Sequence, residues 1–240
     1  MRRFITYGEE RIGFSIRRAP RASRRVAIHV EPDGTVRVDA PEDADAAAIT
    51  AAVRRRARWI WQCLQGCRDR TRHLMPRQYV SGESHHYLGK RYVLKVIAGS
   101  GAEGVKLLGG RLEVTLRQRD PARVRALLEA WYRRRATDVF ARRIAAQAGR
   151  APWLRTVPGF RLLAMRTQWG SCSPKGELLL NPFLVKAPGP CIDYVILHEL
   201  CHLKEHNHSP RFYRLLGGLL PDWQQRKSEL DERAEQLLNR

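Results

Sequence analysis

Hydrophobic and polar residues alternate near the start of the chain in the manner of β-strands. Hydrophobic residues take every second position over 26–30 and again over 36–38, and a Pro-Asp-Gly segment at 32–34 separates the two runs. A period of two that is interrupted by such a turn predicts a β-hairpin. We therefore expect the first 40 residues to form mainly β structure.

The pattern then changes to a helical period. Ile49, Val53, Ile60 and Leu64 recur at helical spacing, and an acidic run over 42–45 precedes them. Acidic side chains are favourable at the positive N-terminal end of a helix. The pattern predicts a helix that ends near Gly66.

A second β region and a long helix follow. Residues 87–92 read as a turn between two strands, and the hydrophobic runs at 105–108 and 112–114 flank Gly109-Gly110, which predicts a two-residue hairpin. Asp120-Pro121 then supplies an N-cap and a proline at the first helical position. The helix that they begin is expected to run to about Gly149.

The C-terminal third contains shorter elements. Hydrophobic runs at 160–165 and 177–180 predict strands, and a helix is expected after the Pro-Gly-Pro break at 188–190. Ser209-Pro210 and Pro221-Asp222 each have the form of a helix start, which predicts two further helices.

Positive charge is concentrated in the first 150 residues. The net charge is +20; residues 1–150 carry 32 basic and 15 acidic side chains, whereas residues 151–240 carry 12 and 9. Together with the strands and helices predicted above, this difference in charge predicts an α+β fold in which a basic, β-rich portion with two helices (1–150) precedes a separate C-terminal domain (151–240). We find no internal repeat in the sequence. The excess charge permits a nucleic acid or another polyanion as a partner. The clusters at 54–56 and 133–135 fall on helical patterns, however, and there they are equally consistent with solvated faces.

The chain has the features of a cytoplasmic protein. No hydrophobic run approaches the roughly 18 residues that a membrane span needs, and no hydrophobic stretch follows the charged N-terminus. The cysteine count of five is odd and suits reduced thiols. Cys63 and Cys67 are four residues apart and are interpreted as residues of a helix face rather than a metal-binding pair.

The segment from His198 to His202 carries the candidate chemistry, because it reads H-E-x-x-H. Residues four apart lie on one face of a helix, so that both imidazoles can reach one metal ion. Glu199 lies about 100° further round the helix, where it can address a water molecule at that ion. Hydrophobic neighbours place the helix in the interior, where histidines without partners would be costly.

A hydrolytic zinc site needs a third protein ligand. His208 stands ten residues after His198, which is the spacing of the third histidine in the H-E-x-x-H-x-x-G-x-x-H pattern, although Glu205 replaces the glycine. Asn207 could adopt a left-handed conformation and so allow the chain to turn back. His206 remains the alternative ligand.

Several short stretches resemble a known family. They are W-G-S-C-S at 169–173, L-N at 180–181, I-D-Y-V at 192–195, H-E-L-C-H-L at 198–203, and N-H-S at 207–209 followed by Phe212. Together with the layout of the N-terminal half, they make the chain similar to the YgjP-like, zinc-dependent metallopeptidase-like family, whose wider relatives include SprT-like proteases. The resemblance implies a zincin-like C-terminal domain with zinc held by His198, His202 and His208 and with Glu199 as general base. Gln168 departs from the basic residue that is usual in this family, and Cys201 departs from the usual alanine.

The leading functional expectation is a zinc-dependent metallopeptidase that acts on a peptide or protein. Residues 178–180, if they form an edge strand beside the zinc helix, could pair with an extended peptide. One alternative is a nucleotide pyrophosphatase, an activity attributed within the resembling family. The other is a nucleic-acid-binding protein with a DNA-stimulated or regulatory hydrolase site.

Overall fold

The computed structural model describes residues 2–18, 26–30, 34–72, 76–165, 168–173 and 176–239, without the side chains of residues 2 and 67–72. The chain divides into two compact units, Met1–Met75 and Pro76–Arg240. Both units combine β-sheet with helices, so the predicted α+β class is confirmed at this level.

The first unit is a four-stranded sheet with two helices. Its elements are β1 (Arg2–Tyr7), β2 (Glu10–Arg18), β3 (Ala27–Val30), β4 (Val36–Ala40), α1 (Ala46–Arg55) and α2 (Ala57–Arg72). The strand order is β1-β2-β4-β3, with β2 and β4 parallel and the outer pairs antiparallel. Alternate residues of β4 are buried against Ile49, Val53 and Ile60 of the helices, so that one face of the sheet forms the core.

The predicted hairpin and helix are present with changes. Strands β3 and β4 pair antiparallel with Val30 opposite Val36, whereas the predicted turn residues 31–33 lie outside the described residues. The single predicted helix is two helices that meet at Arg56. Asp45 caps the first by accepting a hydrogen bond from the backbone N–H of Ala47.

The second unit begins with another four-stranded sheet followed by a long helix. The elements are β5 (Ser84–Tyr87), β6 (Lys90–Ala98), β7 (Gly104–Leu108), β8 (Arg111–Leu116) and α3 (Pro121–Ala148). Gly109 and Gly110, both with positive φ, form the predicted two-residue turn between β7 and β8. Asp120 caps α3 through the backbone N–H of Ala122, as the sequence predicts.

The two sheets share one topology, which corrects the expectation of no internal repeat. The order β5-β6-β8-β7, with a parallel central pair and antiparallel outer pairs, repeats that of β1 to β4. In each unit the fourth strand leads to an aspartate-capped helix. The hydrophobic pattern of the two segments is alike while their residues differ, so the repeat becomes evident only in the strand pairing.

The chain divides at residue 75, whereas the sequence analysis places the boundary near 150. The reason is that the second sheet and α3 share a core with the C-terminal third. In the turn between β5 and β6, the backbone N–H of Leu88 donates to the carbonyl oxygen of Val185 at 2.9 Å, and that of Gly89 donates to the carbonyl oxygen of Lys186 at 3.0 Å. No composition change in the sequence marks this shared packing.

The remaining elements of the second unit surround one helix. They are β9 (Phe160–Leu162), β10 (Gly170–Cys172), β11 (Leu178–Leu180), a short 3-10 helix (Pro182–Lys186), α4 (Gly189–His202), α5 (Pro210–Leu219) and α6 (Trp223–Leu238). Helix α4 packs against α3, α5, α6 and β10. Among the helices of the described residues, none is long and hydrophobic enough to span a membrane.

The three-stranded sheet has the order β10-β11-β9. The segment Leu178–Leu180 is therefore the central strand, with β10 antiparallel on one side and β9 parallel on the other. The expectation that it could be an edge strand open to a peptide is wrong, because its backbone is paired on both sides. The edge strand next to α4 is β10.

Candidate metal centre

Helix α4 carries the H-E-x-x-H segment in the interior of the second unit. Ile196, Leu197 and Leu200 are fully buried and fix the orientation of the helix in the core. Near its N-terminus, Arg143 of α3 donates to Asp193 at 2.7 Å and to the carbonyl oxygen of Gly189 at 3.2 Å. Hydrophobic packing and this polar link together set the position of the last turn, where the histidines lie.

Three imidazoles converge at the C-terminal end of α4. The rings of His198 and His202 lie 5.0 Å apart, as expected for residues one helical turn apart. The ring of His208 lies 4.9 Å from the first and 4.7 Å from the second. One ligand atom from each lies within 4.8 Å of the others. The three histidines predicted as zinc ligands are therefore close enough to share one ion.

The loop after α4 brings His208 back without a left-handed residue. The backbone N–H groups of Lys204 and Glu205 both donate to the carbonyl oxygen of Cys201 and close the helix end. The φ of Asn207 is not positive, so the left-handed conformation expected there is wrong. The side chain of Ser209 then caps α5 through the N–H of Phe212.

The hydrogen bonds of the imidazoles indicate which nitrogens face the shared space. Nδ1 of His202 lies 3.1 Å from the carbonyl oxygen of Glu205, so it donates its proton there and leaves Nε2 as the lone-pair nitrogen. The Nε2 atoms of His198 and His208 lie 2.9 Å apart. Nδ1 of His198 is buried and has no hydrogen-bond partner among the described residues.

A buried aromatic ring supports all three imidazoles. Phe212 is fully buried, and its ring centroid lies 4.9, 4.6 and 4.8 Å from those of His198, His202 and His208. It follows the cap residue of α5 by three positions, so that the start of this helix and the position of the ring are coupled. Phe212 therefore holds the three rings against a common hydrophobic base.

Burial keeps two of the imidazoles neutral. Desolvation lowers the pKa of His198 to about 3, with further lowering by His208, His202 and Lys227. Desolvation also lowers the pKa of His202. Neutral imidazole is the form that binds metal ions, so these rings carry free lone pairs at neutral pH.

Glu199 lies on the β10 side of the helix. It is 5% exposed, and burial raises the pKa of its carboxyl to about 8. A Cβ built on Gly170 would lie 2.9 Å from both Cγ and Oε1 of Glu199 and 3.0 Å from a methyl of Val195. The carboxylate is therefore held against a strand that has room for it only because residue 170 is glycine.

The other candidate residues take no part in the cluster. His206 is exposed and lies outside the group of three imidazoles. Burial, with a smaller effect of Glu199, raises the pKa of the Cys201 thiol to about 12 and also raises that of Cys172. Neither cysteine is therefore an activated nucleophile.

The role of Gly170 was missed by the sequence analysis. A strand of three residues, Gly170–Cys172, gives no alternating pattern long enough to be recognised. The only available signal is the glycine itself, since a glycine within a strand often marks a close approach of another group.

Comparisons with known proteins identify the family of the chain. A model of the YgjP-like, metallopeptidase domain family matches residues 24–233. The chain is similar to the UTP pyrophosphatase of Escherichia coli (strain K12), with 32% identity over 72 residues, which are 30% of this chain and 43% of that protein. It thus spans less than half the length of this curated relative.

Two solved structures show a weaker likeness. The metallopeptidase zymogen of Pyrococcus abyssi abylysin has a TM-score of 0.35 and 22% identity, covering 44% of this chain and 96% of that chain. The metallopeptidase zymogen of Methanocaldococcus jannaschii jannalysin has a TM-score of 0.30 and 23% identity, covering 43% and 93%. At these scores neither likeness bears on the chemistry of the site.

Proposed function

Because the chain belongs to the YgjP-like metallopeptidase domain family, we propose that it is a zinc-dependent hydrolase that cleaves peptide bonds. The observation that carries this proposal is the convergence of His198, His202 and His208, with ligand atoms within 4.8 Å of one another, while the buried Glu199 directly follows His198 on α4. Three imidazoles and a neighbouring carboxylate are the parts that metal-assisted hydrolysis requires.

The donor set fits zinc. Imidazole nitrogen is a preferred zinc ligand, and catalytic zinc sites use three protein ligands and keep one position open. Two of the three rings are kept neutral by burial, and the Nε2 atoms of His198 and His208 lie 2.9 Å apart, close enough to contact one ion. The hydrogen bond from Nδ1 of His202 to the carbonyl oxygen of Glu205 is the kind of outer contact that orients a ligating histidine.

The residues of the chain then have separate roles. A zinc ion held by His198, His202 and His208 would supply Lewis-acid chemistry and lower the pKa of water at the site. Glu199 accepts a proton from the attacking water at a carboxylate oxygen and returns it to the leaving amine. The positive charge of a bound dication would favour its carboxylate form and offset the effect of burial.

The substrate is expected to bind along β10 rather than along residues 178–180. On either side of β10, the backbone N–H of Asn181 donates to the carbonyl oxygen of Trp169, and the N–H of Ser173 donates to the carbonyl oxygen of Glu177. These hydrogen bonds show that the backbone N–H and C=O groups of the odd-numbered residues point towards β11. In an antiparallel pair the alternate residues point the other way. The backbone N–H and C=O groups of Gly170 and Cys172 are therefore directed to the open edge of the sheet, where an extended peptide can add as a further strand.

Hydrolysis of a nucleotide is the second candidate, favoured by the local similarity to a UTP pyrophosphatase. Binding of a triphosphate needs positive charge next to the reacting centre. Lys227 acts on His198 electrostatically, but it is ion-paired with Asp231. This arrangement makes a peptide the better fit.

A nucleic-acid partner is not supported by the family match. Several arginines of the basic regions are also engaged within the protein: Arg17 pairs with Asp39, and Arg123 pairs with Glu103.

The proposed function is tested with Glu199→Gln and its matched control Glu205→Gln. The amide cannot accept the proton, so turnover of unstructured peptides should fall at least ~100-fold while zinc content and melting temperature stay near those of the unmodified protein. Glu205→Gln should retain activity, because its backbone carbonyl and not its side chain contacts His202.

Peptides and UTP should be assayed on the same preparations. Normal peptide turnover in Glu199→Gln with zinc in place would show that another group is the base. Turnover of UTP alone, lost in the same variant, would replace the peptidase proposal by the second candidate.

A further inference from the structure

An aromatic pair stands at the rim of the metal centre and takes no part in holding the imidazoles. The rings of Tyr213 and Trp223 are stacked, with centroids 5.2 Å apart and an interplanar angle of 21°. The Tyr213 ring also lies 6.2 Å from that of His208. The pair therefore borders the metal centre at His208.

The packing fixes the tyrosine and leaves part of its ring open. Trp223, at the start of α6, lies against one face of Tyr213 and also against Gly217, which is one helical turn further along α5; a Cβ on this glycine would be 3.8 Å from the indole nitrogen. Phe212 meets the same ring edge-on at 5.5 Å and 87°. Tyr213 nevertheless remains 41% exposed.

A large aromatic ring that is fixed and partly exposed beside candidate metal ligands is a contact surface for substrate. We propose that Tyr213, held by Trp223, forms the wall of a subsite that receives a large hydrophobic, preferably aromatic, side chain next to the scissile bond. This inference rests on the proposed peptidase function and adds a preference for one class of residue. Such rings attract other aromatic side chains beyond the effect of buried area alone.

The test measures selectivity in four variants of the zinc-loaded protein. A set of peptides that differ only in Phe, Leu, Ala, Glu or Lys on either side of the cleaved bond is assayed for kcat/KM. Tyr213→Ala should reduce the Phe-to-Ala preference about tenfold, and Tyr213→Phe should preserve it because the ring remains. Tyr213→Arg should move the preference towards Glu. Leu108→Ala, which removes another exposed hydrophobic side chain (64% exposed), should leave the preference unchanged.

The outcomes separate this subsite from the proposed function. Peptide cleavage with the same side-chain preference in Tyr213→Ala and Tyr213→Arg would overturn the subsite and leave the peptidase function intact. An equal loss of turnover for every peptide in Tyr213→Phe would assign the hydroxyl a role in the reaction instead and also overturn it. Absence of peptide cleavage by the unmodified protein would remove both, and a Tyr213-dependent loss of UTP turnover would identify a base-stacking surface.

Discussion

Replacement of Gly170 by alanine should impair the reaction while leaving the three imidazoles in place. The φ of Gly170 is not in the left-handed region, so alanine can adopt the backbone and adds only one methyl group. That methyl would lie 2.9 Å from Cγ and Oε1 of Glu199. Because carbon atoms in contact prefer roughly 3.5 Å or more, either Glu199 or β10 must move by about 0.6 Å.

The size of this displacement sets the expected loss. A 1 Å misplacement near a reacting centre can cost ~100-fold in rate, so a shift of about half that distance should lower kcat/KM by roughly 10- to 100-fold. Overpacking of this kind costs about 1–3 kcal/mol of stability. For a unit of this size that corresponds to a fall in melting temperature of roughly 2–12 °C. Zinc content should stay at about one per chain, since the three atoms nearest to the methyl belong to Glu199 and Val195.

The assay compares Gly170→Ala with Gly159→Ala for zinc content, melting temperature and turnover. Gly159 lies just before β9 of the same sheet, and a Cβ there meets no atom within 4 Å. The control should therefore behave like the unmodified protein. Full activity of Gly170→Ala would refute the reasoning, because it would mean that the position of Glu199 next to β10 is unimportant for the reaction.

Two further predictions concern other histidines. His208→Ala should lose most of the bound zinc, measured by metal analysis, whereas His206→Ala should keep it because this exposed residue lies outside the cluster; the reverse result would make His206 the third ligand. Burial, with Arg77 and Lys186, lowers the pKa of His85 to about 3. The unfolded chain therefore binds a proton below about pH 6.5 that the folded chain does not, and stability falls as the pH drops from 6.5 towards 3. His85→Gln should remove about 2 kcal/mol of the stability difference between pH 7 and pH 5 in chemical unfolding, and an unchanged difference would contradict this.

Local signals in the sequence were sufficient for several element boundaries. The caps Asp45, Asp120 and Ser209 begin helices in the structure, and Gly109-Gly110 forms the turn that the dipeptide predicts. These features depend on hydrogen bonds and φ angles within a few residues, so neighbouring residues alone determine them.

The division of the chain into units and the pairing of its strands could not be predicted from neighbouring residues. The division of the chain at residue 75 depends on backbone hydrogen bonds from Leu88 and Gly89 to residues almost one hundred positions later. The repeated sheet topology likewise depends on which strands pair, and the parallel central pairs join segments that are separated in sequence. A hydrophobic pattern reports which residues are buried but not which other segment buries them.

The candidate site likewise combines features that local sequence determines with features that depend on tertiary contacts. The sequence by itself determined that His198, Glu199 and His202 lie on one helix with fixed angular spacing, since helical geometry relates residues one to four positions apart. It also favoured His208 over His206, but only the tertiary structure decided that the loop returns this ring to within 4.9 Å of His198. The roles of Gly170 and Tyr213 come from β10 and α5, which reach the site through the packing of the core around α4. Contacts between separate elements depend on the whole chain, and for that reason no local pattern in the sequence encodes them.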